Sequence, residues 1–124
     1  MALGKIKADT LEHSTSGSVD TKFVVEGSAK ARHASNDAGT TLYGSLNVSS
    51  LGDTATGRQT INFTTAMSDL NYSAVSGSGS QADGSARFML VNTLTTTSYN
   101  VNAYNAAVSL ADNSSSSAVH GDLA

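Results

Sequence analysis

The chain has 124 residues, a formal net charge of −3 and a pI near 5.4. It is one domain long and lacks the clustered cations that nucleic-acid affinity draws on through counterion release. It has no cysteine, which removes disulfides and thiolate metal sites together. With 39% hydrophobic, 6% aromatic and 14% charged residues it is poor in core-forming groups. A chain this size buries only about two-thirds of its unfolded surface, so oligomerisation is the expected route to a sufficient core.

In chain order, the first residues alternate weakly around Leu3, Ile6 and Ala8 and break into a Ser/Thr/Gly stretch at 14–18. This reads as a short strand or extended arm followed by a turn; Asp9 and Glu12 have capping-box spacing, but the Ser/Gly run stops a helix within one turn. Residues 22–25 (KFVV) are a strand candidate, and 27–39 read as a loop of small residues ending in the Asn36-Asp37-Ala38-Gly39 turn signal. From Thr41, Leu42, Leu46 and Val48 share one parity and Ser45, Asn47 and Ser49 the other, the period-two mark of a half-buried strand. The LGDTATGR turn follows, and 59–65 then sets Ile61 and Phe63 against Thr60, Asn62 and Thr64, so the two runs predict an antiparallel hairpin.

Residues 71–77 predict a third strand with Tyr72 and Ala74 inward, and 76–84 has too little apolar surface to be other than a loop. Residues 87–94 differ in kind. Phe88, Leu90 and Leu94 take one face and Met89 and Val91 the other, and a strand apolar on both faces needs cover on both. The second cover is expected from a neighbouring subunit. Residues 98–104 alternate Tyr99, Val101 and Ala103 against Asn100, Asn102 and Tyr104, and the Ser-rich 111–117 reads as a low-complexity loop before a last short run. No apolar run approaches the roughly 20 residues that span a bilayer, and the N-terminus has no leader-like apolar stretch. The expectation is an all-β protein made in a cytoplasm, with no membrane insertion.

The chemistry is sparse. Ten carboxylates stand singly, mostly beside Gly, Ser, Asn or Thr, where Asp caps turns. A glycoside-cleaving pair needs two carboxylates roughly 5–9.5 Å apart in a cleft; the turn reading accounts for nearly every Asp, and a pair assembled across subunits stays open. There is no G-x-S-x-G elbow, P-loop, dinucleotide fingerprint or H-E-x-x-H motif, so no enzyme activity and no cofactor are expected. Lys30 and Arg32 read as a solvated face. His120 is a candidate metal ligand if symmetry gathers copies on an axis, and otherwise a strand-face histidine. The tyrosines at 43, 72, 99 and 104 suit sugar C–H surfaces, yet three share parity with core positions.

Three phrases carry a resemblance: VVEGSAKA at 24–31, SLNVSSLGDTATGRQTINFTTAMSDLNYS at 45–73, and the terminal GDLA. Together they resemble the short tail-fibre and receptor-binding proteins of tailed bacteriophages, especially those of marine hosts. In that family G-x-I-K-x-D-T, here 4–10, precedes V-x-G-S-A-K-A, here 25–31, and a strand-turn-strand ending in A-M-x-D-x-N-Y follows, here 46–72. The chain departs at Arg32 and His33, where the family commonly has an aromatic, and 76–117 matches only in pattern.

The resemblance implies a small antiparallel β-sandwich with an extended N-terminal arm, intertwined or packed as a homotrimer in a virion tail and assembled in the host cytoplasm. Residues 1–25 would be the arm, holding tail, baseplate or hub proteins through Leu3, Ile6, Leu11, Val19 and Phe23, and 26–124 the distal module. Ile61, Phe63, Phe88 and Leu90 would form the trimer core. Loop residues Ser80, Gln81, Asp83, Asn113 and Ser115 would face a host cell-surface glycan or protein. The competing reading is a capsid decoration or head-fibre protein of the same general build.

Overall fold

The computed structural model describes residues 4, 6–79 and 86–124. Leu3, Ser80, Gln81 and Asp83 lie outside the described residues. The chain is all-β, with every strand pairing antiparallel. A hairpin of β1 (Thr10–His13) and β2 (Gly17–Asp20) leads into a seven-residue helix, α1 (Thr21–Gly27). Residues 22–25 therefore form a helix rather than the expected strand. The Thr21 N–H donates to the Asp9 carbonyl at 2.8 Å and its hydroxyl to the Ala8 carbonyl at 2.6 Å, which closes the hairpin. Beyond that point the chain has no strand to pair with, and a helical turn satisfies the backbone within the segment.

The remaining strands form two four-stranded sheets. Sheet I has the order β4 (Leu42–Leu46), β3 (Ala31–Ser35), β10 (Ser115–His120), β7 (Ser73–Ser78). Sheet II has the order β5 (Val48–Ala55), β6 (Arg58–Phe63), β9 (Ser98–Asn105), β8 (Arg87–Asn92). The two face each other as a sandwich. Ile61, Phe63, Tyr99 and Val101 of sheet II pack with Ala31 and Val119 of sheet I, and with Met67 and Tyr72 from the 64–72 crossover. The Phe63 ring meets Tyr72 nearly edge-on with centroids 5.8 Å apart, and Tyr99 at 5.5 Å, within the usual range of aromatic pairs.

The predicted β5–β6 hairpin forms, with Leu51 opposite Ile61. The single strand expected over 41–49 is two strands in different sheets. Asn47 takes the left-handed conformation, φ 52°, between β4 and β5. Its carboxamide holds that corner by accepting from the Thr65 N–H at 2.7 Å and donating to the Thr65 carbonyl at 3.0 Å. Asn tolerates this backbone region better than most residues. β3 occupies part of the expected 27–39 loop, and β10 begins inside the expected 111–117 loop.

The sandwich has two distinct ends. The arm joins at the start of β3, where the Lys30 N–H donates to the Val119 carbonyl, and the loops at 64–72 and 93–97 lie at this end. The loops at 36–41, 55–57 and 105–114 lie at the opposite end, tied together there. Asp112 accepts from the Gly57 N–H at 2.6 Å, and Asp37 from the Ser114 N–H at 3.1 Å.

Candidate functional site

Four regions carry the residues that the sequence singled out: the arm, the outer face of sheet II, the loop end and the interior behind it. None of the described arm residues up to Ser28 is buried. Ile6, Leu11, Val19 and Phe23 are all exposed, as are Val24 and Val25. An apolar segment that its own protomer leaves bare is a surface in want of a partner.

The four residues expected in a trimer core divide by face. Ile61 and Phe63 are only 0% and 7% exposed and point into their own sandwich. They cannot touch a neighbour while the protomer stays folded, so they are core residues and not interface residues. Phe88 and Leu90 point the other way, 59% and 51% exposed on the outside of sheet II, while Met89 and Val91 pack inward. Strand alternation places Asn102 and Tyr104 on that same outer face, where Leu90 pairs with Asn102 and Phe88 with Tyr104. Val108, in the adjoining turn, is 74% exposed.

Asn113 and Ser115, expected on a receptor-facing loop, are buried. The physical reason is a polar network between the sheets that these residues complete. His33 on β3 makes its Nε2 contact to Ser115 Oγ at 2.9 Å and its Nδ1 contact to Ser117 Oγ at 2.6 Å. Ser115 and Ser35 both donate to Gln59 Oε1, at 2.9 and 3.0 Å, and Gln59 Nε2 donates to the Asn113 carbonyl at 3.3 Å. Tyr99 OH bonds Ser117 Oγ from the facing sheet. Burial lowers the His33 pKa to about 4 and pushes the Tyr99 phenol up to about 12, so both are neutral near pH 7.

The groups of this network can all be satisfied together. One arrangement satisfies every member: Ser115 donates to Gln59 and accepts from His33 Nε2–H. In that arrangement His33 Nδ1 accepts from Ser117, whose own oxygen accepts from Tyr99. With His33 sealed from solvent, this network ties the two sheets at the loop end and presents no reactive group to an external molecule.

His120 places Nδ1 3.0 Å from the Gly27 carbonyl, a contact between β10 and the root of the arm. Among the described residues no group of three or more His, Cys, Asp or Glu comes together. Tyr72 and Tyr99 are core residues, while Tyr43 is exposed on β4 and Tyr104 lies on the outer face of sheet II. No helix among the described residues is long and apolar enough to cross a membrane. The buried histidine network was not foreseen; its only sequence signal was strand parity. No protein family, curated protein or solved structure matches this chain.

Proposed function

We propose that this chain is a structural protein of a tailed-phage virion, a trimeric tail-fibre component that attaches the particle to its host surface. The observation that carries the reading is the polarity of the molecule. An arm with no buried residue leaves one end of the sandwich, and a cluster of exposed loops closes the other. The arm holds a tail, baseplate or hub protein through Ile6, Leu11, Val19 and Phe23. The loop end, through exposed residues such as Asp37, Thr40, Thr56 and Ala107, faces a host glycan or protein. Repetition over three copies and several fibres turns weak polar contacts into firm adhesion. The tail-fibre phrases in the sequence add to this support.

The surface of the chain points the same way. It exposes 7511 Å², whereas a compact 12.6 kDa chain exposes about 6,200 Å². The excess is about 1,300 Å², more than the roughly 800 Å² that one partner contributes to a standard interface. Gold-labelled antibody against this chain on intact particles tests the reading. Label on the tail is the expected result; label spread over the head would overturn it in favour of a capsid decoration protein.

A further inference from the structure

We propose that the cleft between the 36–41 loop and β4 is a saccharide site, in which Tyr43 stacks on the apolar face of an uncharged hexose ring and Asp37 accepts from its hydroxyls. This names what the loop end binds and rests on the reading of that end given above. The cleft is shallow, about 250 Å³, and is lined by Asn36, Asp37, Ala38 and Tyr43.

Tyr43 is the informative residue. β3 and β4 pair in step from Arg32 opposite Leu46 to Ala34 opposite Gly44, and then Ser35 meets Leu42, so Tyr43 is an extra residue on β4. A bulge of this kind re-aims a side chain out of its strand's alternation. The ring is 56% exposed and takes no part in the core. Tyr72 and Tyr99 are buried, and Tyr104 lies among apolar neighbours, so Tyr43 is the tyrosine that stands open beside hydrogen-bonding side chains.

The loop opposite is built before any ligand arrives. Asn36 Oδ1 accepts from the Thr40 and Thr41 N–H groups at 2.8 and 2.9 Å, and the Gly39 N–H donates to the Asn36 carbonyl at 3.2 Å. Gly39 is buried against Gln59, where a Cβ would lie 2.6 Å from Cγ. Asp37 Oδ1 accepts from the Ser114 N–H at 3.1 Å, and its Oδ2 bonds no other described residue. Binding therefore has little left to order.

A sugar ring carries C–H groups on its faces and hydroxyls around its rim. An aromatic face beside an acceptor-only carboxylate complements both, and hydrogen bonds to an ionised acceptor are the stronger kind. Among the described residues Asp37 is the one charged side chain lining the cleft, so it disfavours an anionic sugar and accepts a neutral one. A protein partner would anchor through side chains in desolvated pockets, and beside the ring this cleft offers only the Ala38 methyl.

The chain has four tyrosines, so 3-fluorotyrosine labelling gives four fluorine resonances, and Tyr43→Phe identifies the one in the cleft. The full chain is titrated with the methyl glycosides of glucose, galactose, mannose and N-acetylglucosamine. At least one should shift the Tyr43 resonance saturably and leave those of Tyr72 and Tyr99 in place. Tyr43→Ala and Asp37→Asn should each weaken that binding at least tenfold, read from line broadening of the sugar, with urea midpoints unchanged. Asp37→Asn keeps an oxygen for the Ser114 N–H, and Tyr43→Phe, which keeps the ring, should bind nearly as well as the wild type. A Tyr43 resonance that ignores every sugar, a shift confined to Tyr104, or undiminished binding by Tyr43→Ala would overturn the site. Label on the tail with any of these results would leave the tail-fibre reading standing. A saturable Tyr43 shift with label on the head would overturn that reading and keep the site.

Discussion

Ser115 Oγ lies 2.9 Å from His33 Nε2 inside the sandwich, and this contact joins two residues 82 positions apart on adjacent strands of sheet I. It makes the loop end depend on a histidine kept neutral. The pKa of His33 falls from 6.5 to about 4 because burial disfavours the charged ring. The unfolded chain therefore binds a proton at a higher pH than the folded one. The stability that His33 preserves is complete above about pH 6.5 and is lost as pH falls toward 4. About 3 kcal/mol is at stake over that window. Urea titrations at pH 7 and pH 4 on the wild type and on His33→Gln check it: the wild type should lose more than the variant by roughly this amount, since shared carboxylate effects cancel.

Ser114 is fully buried and its hydroxyl has no partner among the described residues. Ser114→Ala removes an unpaired polar group without opening a large cavity. We expect it to stabilise the protein by about 1 kcal/mol, read as a higher urea midpoint with an unchanged slope. A loss of stability would mean that the hydroxyl is paired in solution.

Gly57 turns the β5–β6 hairpin with φ 68°, and a Cβ there would lie 2.6 Å from the Ala111 nitrogen and 2.7 Å from the Ala103 oxygen. Both neighbours are backbone and cannot step aside. Gly57→Ala should cost about 3 kcal/mol, adding steric displacement to left-handed strain. Gly77→Ala, where nothing lies within 4 Å, should change stability by less than about 0.5 kcal/mol. Thermal melts of the pair give the contrast.

Val108 holds a left-handed backbone while Asn105 Oδ1 accepts from the N–H groups of Ala107 and Ser109. Val108→Asn should stabilise the protomer by about 1 kcal/mol, because Asn tolerates that conformation where a β-branched residue does not. Urea denaturation of the wild type and the variant checks it, with the higher midpoint expected for the variant.

The strands with apolar alternation were legible in the sequence. Ile61 and Phe63 on β6 and Tyr99, Val101 and Ala103 on β9 declare their inward face directly. β3 and the start of β10 were hidden because their inward residues are His33, Ser35, Ser115 and Ser117, which satisfy one another by hydrogen bonds and so need no apolar pattern. The same cause misplaced Asn113 and Ser115 on a surface loop. The corner at Asn47 was invisible because alternation runs across it, and only a left-handed backbone sends Val48 into the other sheet. The split of Phe88 and Leu90 from Ile61 and Phe63 follows from pairing: each lies on a sound strand, and parity alone does not say which face meets the opposite sheet.

Sedimentation equilibrium of the purified full chain at micromolar concentration tests the central claim most directly, that this protein leaves apolar surface bare for its own copies to cover. The account predicts a mass near three times the 12.6 kDa of one chain. A stable species at the mass of a single chain would contradict it.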